Sequence, residues 1–445
     1  MIEKEKRWWA LYVLCAGELM IVLDTTVVNV ALPSIQADLG FTEAALVWVV
    51  NAYMVTYGGF LLLGGRLGDL YGRRRLFLMG TTLFTLASLA CGLASSQELL
   101  IAARAVQGLG GAVVSAIALS LIMSLFSEAG ERAKAMGIFG FVCAGGGSVG
   151  VLAGGLLTSA LGWHWVFLVN LPVGIAVYAC CMRLLPRDDS LVSATRLDVA
   201  GAILVTASSM AAIYGIVNGD ARFVVAAAAL FVAFLLVESR VSHPLMPLRL
   251  FRVRSVSLAN AVGVFWAAAM FAWFFISALY LQLVLGYDPM QIGLAFLPAN
   301  LIMAVFSIWL SAKLVMRFGI RLPIVGGMLL SAAGLALFAA APSGGGFVPH
   351  VLPGMLLLGL GCGMALNPVM LAAMSEVAPE ESGLASGVVN TSFMVGGAIG
   401  LAALARLSAS SGYHAAFAVG AAFALLAAIL AVFFAAPKEQ LAYAR

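Results

Sequence analysis

A chain of 445 residues that is 63% hydrophobic and 10% charged, with a mean hydropathy of +1.07, lies far from soluble domains, in which about 25% of residues are charged. Its formal charge of +4 is spread thinly, with no long basic or acidic tail, which excludes a nucleic-acid footprint. The composition requires a polytopic membrane protein.

A hydrocarbon core about 30 Å thick takes about 20 apolar residues per helix. Cutting the chain at charged and Gly/Pro-rich punctuation gives fourteen such segments: 9–32, 45–65, 76–95, 98–124, 133–157, 162–182, 197–217, 222–238, 257–283, 290–311, 321–341, 348–372, 383–406 and 413–436. The apolar run from Trp8 continues past Val30 with no small-residue cleavage site before the next segment, so the first segment is expected to span and not to be a signal peptide. It carries two acids, Glu18 and Asp24. Glu18, Val22, Thr25 and Asn29 fall on one helical face, and Asp24 points about 120° away from Glu18. If Glu18 faces a cavity, Thr25 and Asn29 line it as well.

The second segment holds Trp48, Tyr53 and Tyr57 and runs into Gly65-Arg66-Leu67-Gly68-Asp69-Leu70-Tyr71-Gly72-Arg73-Arg74-Arg75. The glycines of this loop serve tight turns. Its charges serve contacts at a membrane face, with Asp69 placed to accept from helix N-terminal amides or a neighbouring basic residue. Arg73 to Arg75 also enforce topology, and that role alone is the plainer alternative. The fourth segment sets Arg104 inside the hydrocarbon, within Arg104-Ala105-Val106-Gln107-Gly108-Leu109-Gly110-Gly111-Ala112. The fifth passes through Gly145-Gly146-Gly147-Ser148-Val149-Gly150-Val151-Leu152-Ala153-Gly154-Gly155. Small residues there let helix backbones approach where no hydrophobic drive brings helices together, so Gly150, Gly154 and Gly155 are packing and hinge positions. The run lacks the Lys-Ser/Thr ending of a nucleotide loop.

The sixth segment opens with Gly162-Trp163-His164-Trp165 and Asn170-Leu171-Pro172, and the ninth carries Trp266, Phe271, Trp273 and Phe274. Each of these aromatics is open to two readings, a lipid-facing or interfacial ring or part of a cation-binding wall. Tyr57 and Trp273 are the two put forward for substrate contact. After the tenth segment, Ala312-Lys313-Leu314-Val315-Met316-Arg317-Phe318-Gly319-Ile320-Arg321 echoes the earlier loop, pairing Arg66 with Lys313, Leu67 with Leu314, Gly72 with Gly319 and Arg74 with Arg321. A weak repeat of this kind is the mark of transporter halves related by an axis along the membrane normal. Expected domains are a six-helix bundle over 1–185, a linker with two additional helices over 186–245, and a second six-helix bundle with a short cytoplasmic tail over 246–445.

An even number of spans puts both termini on one side. With the N-terminus in the cytoplasm, 21 of the 24 Lys and Arg fall on inner segments, all but Arg104, Arg222 and Arg406. Both termini are therefore expected on the cytoplasmic side of the cytoplasmic membrane. The six cysteines show no CxxC or Cys/His metal spacing and read as small core residues, and the four histidines form no pairing that suggests haem or zinc. No enzymatic centre is expected.

Taken together, these motifs resemble the fourteen-helix drug:proton antiporter branch of the major facilitator superfamily. Leu23-Asp24-Thr25-Thr26-Val27-Val28-Asn29-Val30-Ala31-Leu32-Pro33 is similar to that branch's own signature. The stretch from Gly65 to Arg75 resembles the superfamily loop, and the resemblance implies a gate stabilising the outward-open state, built on Gly65, Asp69, Gly72, Arg73 and Arg74. Residues 104–112 are similar to the embedded arginine motif, and 145–155 to the exporter motif, with Val151 where a proline is usual. That change keeps the glycine packing and removes a kink. Pro247-Leu248-Arg249-Leu250-Phe251-Arg252, Ala385-Ser386-Gly387 and Asn390-Thr391 complete the match. Phe393 and Met394 stand where the family commonly has glutamines. The fold implied is an all-α polytopic membrane protein of the major facilitator type, two six-helix bundles plus two extra central helices, fourteen transmembrane helices in all.

Ionisable groups inside a span are costly and face a cavity or a partner. Of 44 charged residues, only Glu18, Asp24 and Arg104 lie well inside expected spans. Asp24 and Arg104 can share a level, and a nearby arginine holds a carboxylate ionised. Asp24 is therefore read as the paired acid and Glu18 as the one that exchanges a proton, whereas the resemblance points to Asp24 as the coupling acid. A purely structural ion pair, and a neutral Glu18 buried against polar neighbours, remain alternatives. The expected function is proton-coupled efflux of amphiphilic, cationic drugs or antibiotics by alternating access, with no cofactor and the proton gradient as energy source. The expected partners are the lipid bilayer, protons and a small-molecule substrate, with a monomer sufficient. A dedicated exporter of one metabolite or self-made antibiotic, a proton-independent uniporter, and a non-transporting receptor of the same fold are the rival readings.

Overall fold

The computed structural model describes residues 4–126, 128–185, 198–242, 244–342, 346–377 and 382–434. Sixteen α-helices and, among the described residues, no strand make up the molecule. In chain order these are α1 (Lys4–Leu39), α2 (Glu43–Tyr71), α3 (Arg73–Gly92), α4 (Gln97–Leu125), α5 (Ala129–Leu161), α6 (Trp165–Leu168), α7 (Asn170–Leu184), α8 (Val199–Asn218) and α9 (Ala221–Arg240). There follow α10 (Arg254–Leu279), α11 (Pro289–Val305), α12 (Ser311–Phe318), α13 (Arg321–Ala340), α14 (Leu352–Met374), α15 (Ser382–Ser411) and α16 (Tyr413–Ala431). With lipid as solvent, backbone groups must bond within their own segment, and helices are the form that achieves this for a single apolar stretch.

Twelve of these helical stretches are long and apolar enough to cross a membrane, while Val149–Leu161 and Pro289–Val305 are apolar but shorter. The two shorter ones fall on the expected fifth and tenth segments. The first helix is longer than its apolar core requires, running 36 residues with Pro33 inside it.

Helix ends are set by local chemistry. Thr42 accepts from the Ala45 amide and Ser96 from the Leu99 amide, and Asp288 and Gln291 form a reciprocal capping box at the start of α11. Gly72, at φ +91°, separates α2 from α3, and Gly319, at φ +73°, separates α12 from α13. A left-handed backbone at both matched loop positions is the structural trace of the internal repeat, since only glycine takes that conformation without a Cβ penalty. Two of the three basic residues off the charge pattern have plain roles. Arg406 donates to the Ile216 and Val217 carbonyls at the end of α8, at 2.9 and 2.7 Å, and Arg222 pairs with Asp220 at 3.0 Å.

Helices α1–α7 pack on one another and α10–α16 on one another, and the two groups meet chiefly along α5 with α11 and α2 with α15. Small residues set those approaches. A Cβ on Gly154 would lie 2.8 Å from the Val27 carbonyl oxygen of α1, and one on Gly155 would lie 2.9 Å from the Pro289 carbonyl oxygen and 3.2 Å from the Met290 Cα of α11. Gly150 similarly leaves room for Thr26. Asn51 of α2 donates to the Ala398 carbonyl of α15 at 2.9 Å, across the second seam. Helix α8 rests on that seam, touching α2 and α15, and α9 packs on α8. Of the cysteines, Cys15, Cys91, Cys181 and Cys362 are buried as expected of small core residues, whereas Cys180 is exposed because it sits one position round α7 from Cys181. Cys143 lies outside the described side chains.

Candidate functional site

Helices α1, α3, α4 and α7 converge on one buried polar centre. Arg104 of α4 donates from Nη1 to Asp24 Oδ2 of α1 at 2.6 Å and to Gln107 Oε1, one turn along its own helix, also at 2.6 Å. Its Nε donates to the Val49 carbonyl of α2 at 2.8 Å, and its guanidinium lies 4.4 Å from the centre of the Tyr53 ring. Asp24 Oδ1 accepts from Gln107 Nε2 at 2.7 Å and from Asn170 Nδ2 at 2.9 Å, and both amides also donate to Ser88 Oγ of α3 at 2.9 Å. Asp24 and Arg104 are each 1% exposed. Two charges taken out of water are tolerated only where geometry is good and the remaining donors and acceptors are satisfied, and the amides and serine supply that satisfaction.

Six residues earlier on α1, Glu18 is held differently. Its Oε2 accepts from Ser115 Oγ of α4 at 2.8 Å, and among the described residues no basic group is paired with it. It lines a cavity of about 320 Å³ between the two helix groups. From α1 the wall takes Glu18, Ile21, Val22, Thr25 and Asn29, which is the face expected from their spacing. Asp24 is absent from that wall, turned toward α4 and α7 as its position on the helix requires. Tyr53 and Tyr57 of α2 add two stacked rings with centres 5.8 Å apart, and Arg104 reaches the wall beside them. The opposite wall is Phe271 of α10, Leu366 and Met370 of α14, and Asn390, Phe393 and Met394 of α15. The volume falls within the range of small-molecule sites, about 300–1,000 Å³.

Trp273 is not on the wall. It is 1% exposed and packs against Phe274 and Phe296, with ring centres 4.4 and 5.9 Å away, on the side of α10 that meets α11. Trp266, also 1% exposed, stands behind Phe393 with ring centres 5.8 Å apart. Neither tryptophan faces lipid, which removes the interfacial reading for both. Trp266 and Trp273, seven residues apart, share one face of α10, and that face looks into the α10–α16 group.

In the loop after α2, Arg74 donates to the Met182 carbonyl of α7 at 2.6 Å, tying the loop to the end of another helix. Gly65, Gly72 and Arg73 lie in the same stretch, and the Asp69 side chain lies outside the described residues. Gly150, Gly154 and Gly155 sit at the crossings of α5 with α1 and α11 described above.

Ser88, Gln107, Ser115 and Asn170 join the site beyond the residues expected from the sequence. For Gln107 the available signal was its position three residues from Arg104, and for Asn170 its place in an otherwise apolar helix start. Among the described residues, no group of three or more His, Cys, Asp or Glu is placed to hold a metal ion.

The model of the Major Facilitator Superfamily matches residues 14–401 and again 310–443. The chain is 43% identical over 415 residues to the puromycin resistance protein pur8 of Streptomyces alboniger, covering 91% of this chain and 82% of that one. It is 38% identical over 414 residues to the cephamycin export protein CmcT of Amycolatopsis lactamdurans, covering 90% and 85%. The crystal structure of the POT family transporter PepTSo superposes with a TM-score of 0.72 at 16% identity, covering 98% of both chains, which shows a shared fold. A polar centre buried in one helix group, a cavity between two such groups and a family match along nearly the whole sequence lead to one assignment: this chain belongs to the Major Facilitator Superfamily of membrane transporters.

Proposed function

We propose that the protein exports amphiphilic, cationic drugs or antibiotics across the cytoplasmic membrane in exchange for protons, by alternating access of its central cavity. The observation that carries this reading is Glu18, an acid without a basic partner on the wall of a cavity shared by both helix groups. The Arg104 charge at the same wall is already matched by Asp24 at 2.6 Å, so the charge left to meet a cation is that of Glu18. Tyr53, Tyr57, Phe271 and Phe393 provide the faces on which an aromatic or cationic body packs. Protonation of Glu18 removes the attraction for a cation, and cargo binding disfavours the proton, so the two occupy the site in turn. The cycle needs no cofactor, only a proton gradient.

In this reading the chain crosses the bilayer fourteen times, α5 and the α11–α12 stretch supplying the two crossings beyond the twelve long spans, with both termini cytoplasmic. Residues 1–185 and 246–445 rock as two bundles, and the 186–245 pair of helices braces the seam between α2 and α15. The loop from Gly65 to Arg75 gates the cytoplasmic face through Arg73, Arg74 and Asp69. Gly150, Gly154 and Gly155 give α5 the close contacts along which the bundles move. A monomer suffices, since each helix group contributes to one cavity within a single chain. A carrier dedicated to one antibiotic is the second reading, favoured by relatives whose names each carry a single compound. Efflux of a panel of cationic and neutral drugs from cells expressing the protein separates the two: several unrelated cations exported supports the broad reading, and one compound alone supports the dedicated one.

A further inference from the structure

A second cavity, of about 640 Å³, lies between the α8–α9 pair and the α10–α16 group. It is twice the central one, about 320 Å³, and does not connect to it through any shared lining residue. Phe231, Phe234 and Leu235 of α9, Val205 of α8, Phe251 before α10 and Phe265 of α10 give it an apolar wall. Helix α15 stands between the two cavities, showing Asn390, Phe393 and Met394 to the central one and Thr391, Ser392 and Val395 to this one.

Four polar side chains, Ser257, Asn260, Thr391 and Ser392, interrupt the apolar lining, and two of them are buried. Asn260 is 6% exposed and Thr391 is 3% exposed, and both line the cavity. Asn260 Nδ2 donates to the Val256 carbonyl at 2.8 Å, which fixes the amide so that Oδ1 is the free acceptor, and that atom has no hydrogen-bond partner. Thr391 Oγ1 has none either. A buried polar atom left unpaired is costly, so an apolar cavity with two such atoms in its wall favours an occupant that brings a donor. Ser257, the neighbouring hydroxyl, already donates to the Phe251 carbonyl.

The occupant must also be apolar and arrive from the bilayer. Phe231, Val232 and Leu236 leave α9 exposed at 46%, 55% and 50%, next to the cavity. Asn260 lies six residues into α10, about 9 Å along its axis from Arg254, at the end of the molecule that carries Arg240, Arg249, Arg252 and Arg254. In the orientation proposed above, that is the level of the cytoplasmic leaflet.

We infer that this cavity is a second ligand site, which takes from the membrane a drug-sized amphiphile presenting an N–H or O–H donor to Asn260 Oδ1 and Thr391 Oγ1. A lipid acyl chain could fill the apolar volume but brings no donor to those two atoms. The inference borrows the cargo class and orientation of the preceding section, and its geometry stands apart from the central site.

The test uses the full chain in nanodiscs of phosphatidylethanolamine and phosphatidylglycerol, with rhodamine 6G, a fluorescent amphiphile bearing N–H groups, as probe. Equilibrium binding followed by fluorescence polarisation should show two classes of site. Ala261→Trp, which fills the cavity from α10, should abolish one class, and Asn260→Leu should weaken the same class about tenfold, while Glu18→Gln leaves it in place. Asn260→Leu is the deciding variant if Ala261→Trp does not fold. A single class indifferent to both substitutions overturns the inference, as does a class sensitive to them that rising phosphatidylglycerol displaces, since the site would then belong to lipid. Loss of this class in Ala261→Trp with no effect of Glu18→Gln on transport would leave this site standing and defeat the proposed coupling. The reverse pattern would defeat this site alone.

Discussion

The two walls of the central cavity are built on opposite plans. On the α1–α7 side stand Glu18, Thr25, Asn29, two tyrosines and Arg104, backed by the buried network of Asp24, Gln107, Asn170 and Ser88. On the α10–α16 side stand Phe271, Leu366, Met370, Phe393 and Met394, with Asn390 as the polar exception. Among the described residues, the charged side chains buried in the two helix groups, Glu18, Asp24 and Arg104, all belong to the first. Although the chain carries a repeated loop with Gly72 and Gly319 both at positive φ, the halves differ in what they bring to the cavity. One holds the buried acids and the arginine, and the other supplies an apolar surface of phenylalanines and methionines, side chains that adapt readily to differently shaped neighbours.

Breaking the polar side should have the largest effect. Arg104→Ala leaves Asp24 buried without its counter-charge, a change that costs about 3–5 kcal/mol in comparable buried pairs. Thermal unfolding in detergent should show a large drop and vesicles should show no transport. The double variant Asp24→Asn with Arg104→Gln should recover part of the loss, because no charge is then stranded. A smaller effect is expected where the halves touch. Gly155→Leu drives a side chain into the α11 backbone, where Pro289 oxygen and Met290 Cα would lie 2.9 and 3.2 Å from its Cβ. Overpacking of this kind costs about 1–3 kcal/mol, so folded protein should still be recovered while efflux stops.

Changes on the apolar side should redirect transport without ending it. Phe393→Gln should leave the melting temperature near that of the parent and weaken efflux of the most apolar cations severalfold, as measured by drug accumulation in cells, with pH dependence unchanged. The smallest effect is expected from Tyr413→Phe. It removes a single hydrogen bond to Glu43, 3.2 Å long and partly buried, that links the starts of α16 and α2. The loss in stability should stay under about 1 kcal/mol, and a change as large as that of Arg104→Ala would show that this contact between the groups matters as much as the polar centre inside one of them.

Much of the architecture was legible in the sequence because lipid imposes a length and an apolarity on each span, and the described residues of all fourteen segments are largely helical. The count of crossings was less so: α11 is interrupted after Val305, and among the described residues the apolar stretch of α5 is Val149–Leu161. At the site, charge inside a span singled out Glu18, Asp24 and Arg104, and helical spacing separated the faces of the first two. Neutral polar residues gave no such signal, since serine, asparagine and glutamine occur in spans for many reasons, so Ser88, Gln107 and Asn170 stand out only where α1, α3, α4 and α7 converge. Trp273 shows the opposite failure. Periodicity tells which residues share a face of one helix, and not which neighbour that face meets, here Phe296 of α11.

The account turns on Glu18, and not Asp24, being the acid that proton and cargo share. The direct measurement is pH-gradient-driven efflux of a cationic dye from vesicles containing Glu18→Gln, an isosteric change that keeps an acceptor for Ser115. The account predicts a folded protein of parental melting temperature whose efflux no longer responds to the gradient and whose cargo affinity no longer varies with pH. Gradient-driven efflux persisting in Glu18→Gln, at the parental rate, would contradict it.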